Sequence, residues 1–261
     1  MFTTNPFAEL SASVPPIVMQ TYVVIMIILV AVGTLFDVIH KRSAKYFFDN
    51  WRNAKSKGTR QVGAGEMVSL AIQTVAVEVV TSGEFCNARR RVAHLLTMYG
   101  FLAYAITTAI MVFGYSTRDI PTPAALPLLW YLGALMVCVG GYWFWFFIRV
   151  DVAAEGHSPF RLVAADLFIL SLLASTTLGL IWAILQPIGG SLTGVLLAFY
   201  LIATTVLFGS IPWSKFSHMF FKPAAAFQKR VAEADGSRSN LPRPSDKPEV
   251  FGSARTLPRH Y

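Results

Sequence analysis

Charge is scarce in this chain: 14% of its 261 residues are Asp, Glu, Lys or Arg, against 54% hydrophobic. A water-soluble domain of this length needs far more polar surface to cover its core, so a soluble catalytic domain is excluded. Cysteine is scarce as well. Cys86 and Cys138 lie far apart, in no CxxC or CxxCH pattern, which excludes an iron–sulfur site and a c-type haem attachment. Any redox centre must be held by other residues. The opening "MFTTNPFAEL" lacks a basic region, and no small-residue cleavage motif follows the first apolar run, so that run reads as a retained helix. Internal repeats are absent too.

What the chain has instead is long apolar runs. Five stand out, about Ile17–Ile39, Leu95–Tyr115, Leu126–Ile148, Leu162–Leu185 and Leu192–Ile211. At ~1.5 Å per residue each is long enough to cross ~30 Å of hydrocarbon. The expected fold is all-α, an integral membrane bundle of five transmembrane helices. A shorter run, "MVSLAIQTVAVEVV" (67–80), carries Gln73 and Glu78 and reads as part of an amphipathic surface segment over 62–88.

Basic residues set the orientation. Ten lie between the first two runs, Arg149 and Arg161 flank the loop between the third and fourth, and nine follow the fifth. Only Arg118 falls on the other side. The positive-inside rule then puts the N-terminus outside and the C-terminus in the cytoplasm of a multi-pass inner-membrane protein. The net charge of +8 follows from this asymmetry, with anionic lipid headgroups as its partners and no nucleic acid required. Residues 1–225 form the expected membrane domain. The polar, proline-rich stretch 226–261 reads as a disordered tail that orders on a partner.

Two histidines stand at matched depth on the cytoplasmic side. His94 lies in "RRRVAHLLTMYGF" at the mouth of the second span, and His218 in "SIPWSKFSHMFFKP" after the fifth. Imidazoles on two different helices suit bis-histidine axial ligation of a b-type haem. Arg90, Arg91 and Lys215 then stand where they can meet the propionates. The alternative is interfacial histidines with no ligand. His40, ending the first span three residues after Asp37, is the competing third ligand, while His157 and His260 read as solvated. Asp166, early in the fourth span, fits two roles: a site that exchanges a quinone proton, or a structural ion pair. The aromatic block "YWFWFF" (142–147) reads as an interfacial belt. Gly190 and Gly194 form a lone GxxxG, a weak sign of close helix contact.

These features together resemble the nitrate reductase gamma-subunit superfamily: five spans, the N-out orientation, "RRRVAHLLTMYGF" opening span two and "IPWSKFSHMFFKP" closing span five. The likeness covers most of residues 17–225. Within that group, "AEGHSPFRLVAADLFILSLLASTTLG" and the lack of a fused iron–sulfur domain are most similar to the membrane anchors of adenylylsulfate reductase. The resemblance implies a cytochrome b subunit passing electrons between that cytoplasmic iron–sulfur flavoenzyme and membrane quinone. Diheme members carry two further histidines, about ten residues after the first and about eighteen before the last. Here those positions hold Tyr104 and Tyr200. The paired departure implies that the outer haem is lost and one haem b remains.

Overall fold

A computed structural model of the chain describes residues 2–40, 43–83, 85, 87–211 and 218–238. In chain order the helices are α1 (Pro6–Leu10), α2 (Pro16–His40), α3 (Ser43–Lys57), α4 (Ala64–Thr74, running on as π-helical turns Val75–Val80) and α5 (Ala88–Gly114). They continue with α6 (Ala125–Trp143, extended by a π-helical Phe144–Ile148), α7 (Val150–Ala153), α8 (Leu167–Leu185, entered through the 3-10 turn Ala164–Asp166), α9 (Ser191–Gly209) and α10 (His218–Ala234). Five of them, α2, α5, α6, α8 and α9, are long and apolar enough to span a membrane. No strand occurs among the described residues. In hydrocarbon a helix is the open-chain solution, because it satisfies its own backbone groups. The protein is an all-α membrane protein.

The chain divides into two units. One comprises 1–38 with 92–217, the other 39–91 with 218–261. In the first, α5 and α6 meet backbone to backbone. A Cβ on Gly100 would stand 2.7 Å from the Gly133 carbonyl oxygen, one on Gly133 2.8 Å from that of Gly100, and one on Gly140 2.7 Å from that of Ala93. Small residues replace the hydrophobic drive that lipid cannot supply between helices. The expected GxxxG contact is a different matter: a Cβ on Gly194 would meet nothing, and Gly190 instead takes a positive φ of 88° in the turn from α8 to α9. Its spacing reflects that turn.

The short α1 closes the end of the bundle where α5 ends and α6 begins. Asn5 caps it, its Oδ1 accepting from the Phe7 and Ala8 N–H, while its Nδ2 donates to the Tyr115 carbonyl at 2.8 Å. Gln186 Nε2 donates to the Pro6 carbonyl at 2.9 Å, and Glu9 pairs with Arg118 at 2.6 Å. Phe7 thereby enters the core between Trp130 and Trp182. This helix was not anticipated from the sequence, although the Asn5 cap and the first-turn Pro6 favour it.

The second unit packs α10 against α3 and α4. Phe227 stacks on Trp51 at 5.8 Å, Arg230 pairs with Glu78 at 2.8 Å, and Val231 and Ala232 are buried. Arg60 Nε donates to the Ala234 carbonyl, and the Thr59 N–H to that of Asp235. A disordered tail starting at 226 is therefore corrected: 226–238 belong to a folded unit, because α3 and α4 supply the core that this segment lacks by itself. Residues 239–261 lie outside the described residues.

Candidate functional site

Tyr104 on α5 and Tyr200 on α9 face each other in the bundle interior. Both are buried, and their hydroxyls are hydrogen-bonded at 2.7 Å. The rings are enclosed by aromatics: Trp130 lies 5.0 Å from Tyr104, and Trp182 stacks on Tyr200 at 5.8 Å. Phe7 touches both tryptophans, so five aromatic side chains close a circuit. Gly179 makes room for it, since a Cβ there would stand 2.8 Å from the Tyr104 hydroxyl. Each phenol satisfies the other, as a buried hydroxyl requires. A haem does not fit at this level: the space between α5 and α9 is filled with side chains.

Toward the end of the bundle where α5 begins, Phe101 and Phe208 pack with Val137, Leu172 and Leu207. His94 lies two turns further along α5. It is half-buried, next to Ala93, whose carbonyl abuts Gly140. The sequence placed this residue at the mouth of a span beginning near Leu95. The helix starts seven residues earlier, because Asn87 Oδ1 accepts from the Arg89 and Arg90 N–H and the three arginines continue the turn. Arg91 is committed locally, its Nε donating to the Thr81 carbonyl at 2.7 Å.

Asp166 is engaged by a partner that the sequence did not name. Its Oδ2 accepts from Arg149 Nη1 at 2.7 Å and from the Val163 N–H at 3.0 Å. Arg149 is 4% exposed; its Nη2 donates to the Arg161 carbonyl at 2.6 Å, and its guanidinium lies over the Trp145 ring at 4.1 Å. One guanidinium thus ties the end of α6 to the stretch from Arg161 to Asp166 that leads into α8. Of the two roles open to Asp166, the ion pair is the one this geometry builds. The pairing had a sequence signal: Arg149 follows the end of one span and Asp166 stands at the start of the next, on the same side. Trp145 also has a second role beyond the belt expected of "YWFWFF", as the aromatic floor under that guanidinium.

The remaining candidates spread over both units. His218 opens α10, with its side chain outside the described part of the structure, and Lys215 lies outside the described residues. Arg90 stands at the start of α5, and His40 ends α2 exposed to its surroundings. His157 lies beside Glu155, Nε2 to Oε2 3.5 Å, both exposed. Outside the membrane spans, Arg60 binds Glu66 through both terminal nitrogens, at 2.9 and 2.5 Å. That hydrogen-bonded guanidinium holds the Glu66 carboxyl below its ordinary value, and Glu66 in turn raises Arg60.

Neither the curated proteins nor the solved structures contain a match to this sequence. A family model does match, over residues 22–239, a stretch that takes in most of α2 and everything from α3 through α10. By that match the chain belongs to the citrate utilization protein B family.

Proposed function

We propose that this protein is the membrane subunit of an electron-transfer complex in the cytoplasmic membrane. In this reading it holds one b-type haem on its basic side and passes electrons between a soluble iron–sulfur flavoenzyme and quinone. The observation that carries the reading is the meeting of Tyr104 with Tyr200. Positions ten residues after His94 and eighteen before His218 face each other across the bundle, the register on which the resemblance to the nitrate reductase gamma-subunit superfamily depends. Tyrosines filling that level support the reading of one haem in place of two. The sequence assigns the axial imidazoles to His94 and His218, and contacts with the propionates to Arg90, Arg91 and Lys215. The haem, when bound, supplies one-electron chemistry between the partner's cluster and the quinone. Asp166, neutralised by Arg149, holds the loop between α6 and α8 in place, leaving quinone protonation to other groups.

Adenylylsulfate reductase is the partner that the sequence resemblance favours, with electrons flowing from sulfite oxidation toward quinone. The family's description favours a second reading, a direct part in using citrate. A citrate carrier needs cations inside the bundle to meet three carboxylates. Among the described residues of the membrane unit Arg149 is the one buried cation, and Asp166 already neutralises it. A haem-free docking subunit is the remaining rival.

Proteoliposomes test the proposal. Adding adenylylsulfate reductase with sulfite and AMP, which it joins as adenylylsulfate with release of two electrons, should reduce a b-type absorbance band, and a water-soluble quinone should reoxidise it. A band that the enzyme reduces but quinone leaves reduced contradicts the electron path. Absence of any band supports the docking rival.

A further inference from the structure

The helix formed by α4 and its π-helical extension has one face that packs and one that does not. Thr74 is buried and Glu78 pairs with Arg230 of α10. Turned away from these, Val68, Ile72 and Val75 recur at i, i+4 and i+7 and are 59%, 64% and 53% exposed. Around them Ala64, Gly65, Ser69, Gln73, Ala76, Val77 and Val80 are exposed as well, and none is charged. The helix has just two ionisable residues, Glu66 and Glu78, and both are bound by arginines of the same unit. Seventeen helical residues, about 25 Å of helix, therefore present an uncharged and largely aliphatic face. Left in water, an apolar strip of this kind marks an interaction surface.

The surroundings indicate what covers it. The unit that contains this helix carries 18 basic and 8 acidic side chains, a net charge of +10, while the rest of the chain carries −2. Two membrane-spanning helices bracket it in the chain, α2 leading in at His40 and α5 leading out from Ala88. A basic unit tethered at both ends to spans, with one uncharged helical face, has the composition of an in-plane interfacial element.

We infer that the Val68–Ile72–Val75 face of α4 lies in the anionic headgroup and upper acyl region of the lipid leaflet on the basic side. The helix is then an in-plane anchor: it holds the basic unit against the bilayer by aliphatic burial, with the surrounding lysines and arginines drawn to acidic headgroups. This inference does not depend on the haem, whose presence is read separately from the visible spectrum.

The test uses the full chain with Cys86→Ser and Cys138→Ser, carrying either Ile72→Cys or, for comparison, Lys55→Cys on α3, labelled with an environment-sensitive fluorophore. Each is reconstituted without any other protein into phosphatidylcholine–phosphatidylglycerol vesicles containing a lipid with a nitroxide high on its acyl chain. The Ile72 label should lose most of its emission to the nitroxide and resist aqueous iodide, whereas the Lys55 label should behave in the opposite way. Replacing Val68 by Glu in the Ile72→Cys chain should restore iodide access. An Ile72 label quenched by iodide and untouched by the nitroxide lipid overturns the inference. So does a label shielded only when a soluble enzyme is added, or only at high protein density, outcomes that would assign the face to a partner or to a second copy of this chain.

Discussion

Replacing Asp166 by Ala removes one half of a pair that is almost wholly withdrawn from solvent: the Arg149 side chain is 5% exposed and that of Asp166 10%. The variant leaves a guanidinium with Nη1 unpaired, and its Nε already lacks a partner. Breaking a buried pair from one side costs about 3–5 kcal/mol. For a protein of this size that lowers the unfolding midpoint by roughly 6–20 °C. Cys138, half-buried on α6, provides the assay in a Cys86→Ser background, since a thiol-reactive dye then reports its exposure as detergent-solubilised protein is heated. The double variant Arg149→Met with Asp166→Leu removes both charges while keeping volume, and should recover most of the loss. If Asp166→Ala melts with the wild type, the clamp is not what holds this end of the bundle. If the double variant is stable and takes up haem but cannot reduce quinone, Asp166 carries a proton after all.

Tyr104→Phe or Tyr200→Phe alone should destabilise by about 1–3 kcal/mol, by stranding the other hydroxyl. The double Phe variant should be near neutral, a double-mutant cycle readable by the same melt. Gly100→Leu should abolish folded protein in size-exclusion profiles, because its Cβ would meet the Gly133 carbonyl, whereas Gly194→Ala should change nothing. Glu66→Gln tests the Arg60 contact by pH. The carboxyl is held below its ordinary value, so its stabilising effect is full above the unfolded value, about 4.5, and disappears as pH falls through the lowered one. The two proteins should therefore differ slightly in midpoint near neutrality and coincide in strong acid, and a gap that persists in acid would refute the assignment.

The spans were legible because twenty consecutive apolar residues have few alternatives. The first run, read as Ile17–Ile39, is α2 at Pro16–His40. Less visible were features decided by tertiary contact. A polar segment such as 226–238 looks coreless until Trp51 and Glu78 come to meet it. The triple arginine reads as charge lying before an apolar run that begins near Leu95, though Asn87 and the helix it caps make those residues the first turn of α5. Tyr104 and Tyr200 read as two lost ligands, yet only the fold reveals that they are each other's partner. The span-five ending, the most specific part of the resemblance, falls on 212–217, outside the described residues, and on the His218 side chain.

The central claim is one haem held by two named histidines, and a pyridine haemochrome titration of the purified protein tests it most directly. The account predicts about one b-type haem per chain, a Tyr104→Phe/Tyr200→Phe variant that keeps it, and His94→Ala and His218→Ala variants that each lose it while still inserting in the membrane. Two haems per chain, none, or an unaltered spectrum in both histidine variants would contradict it.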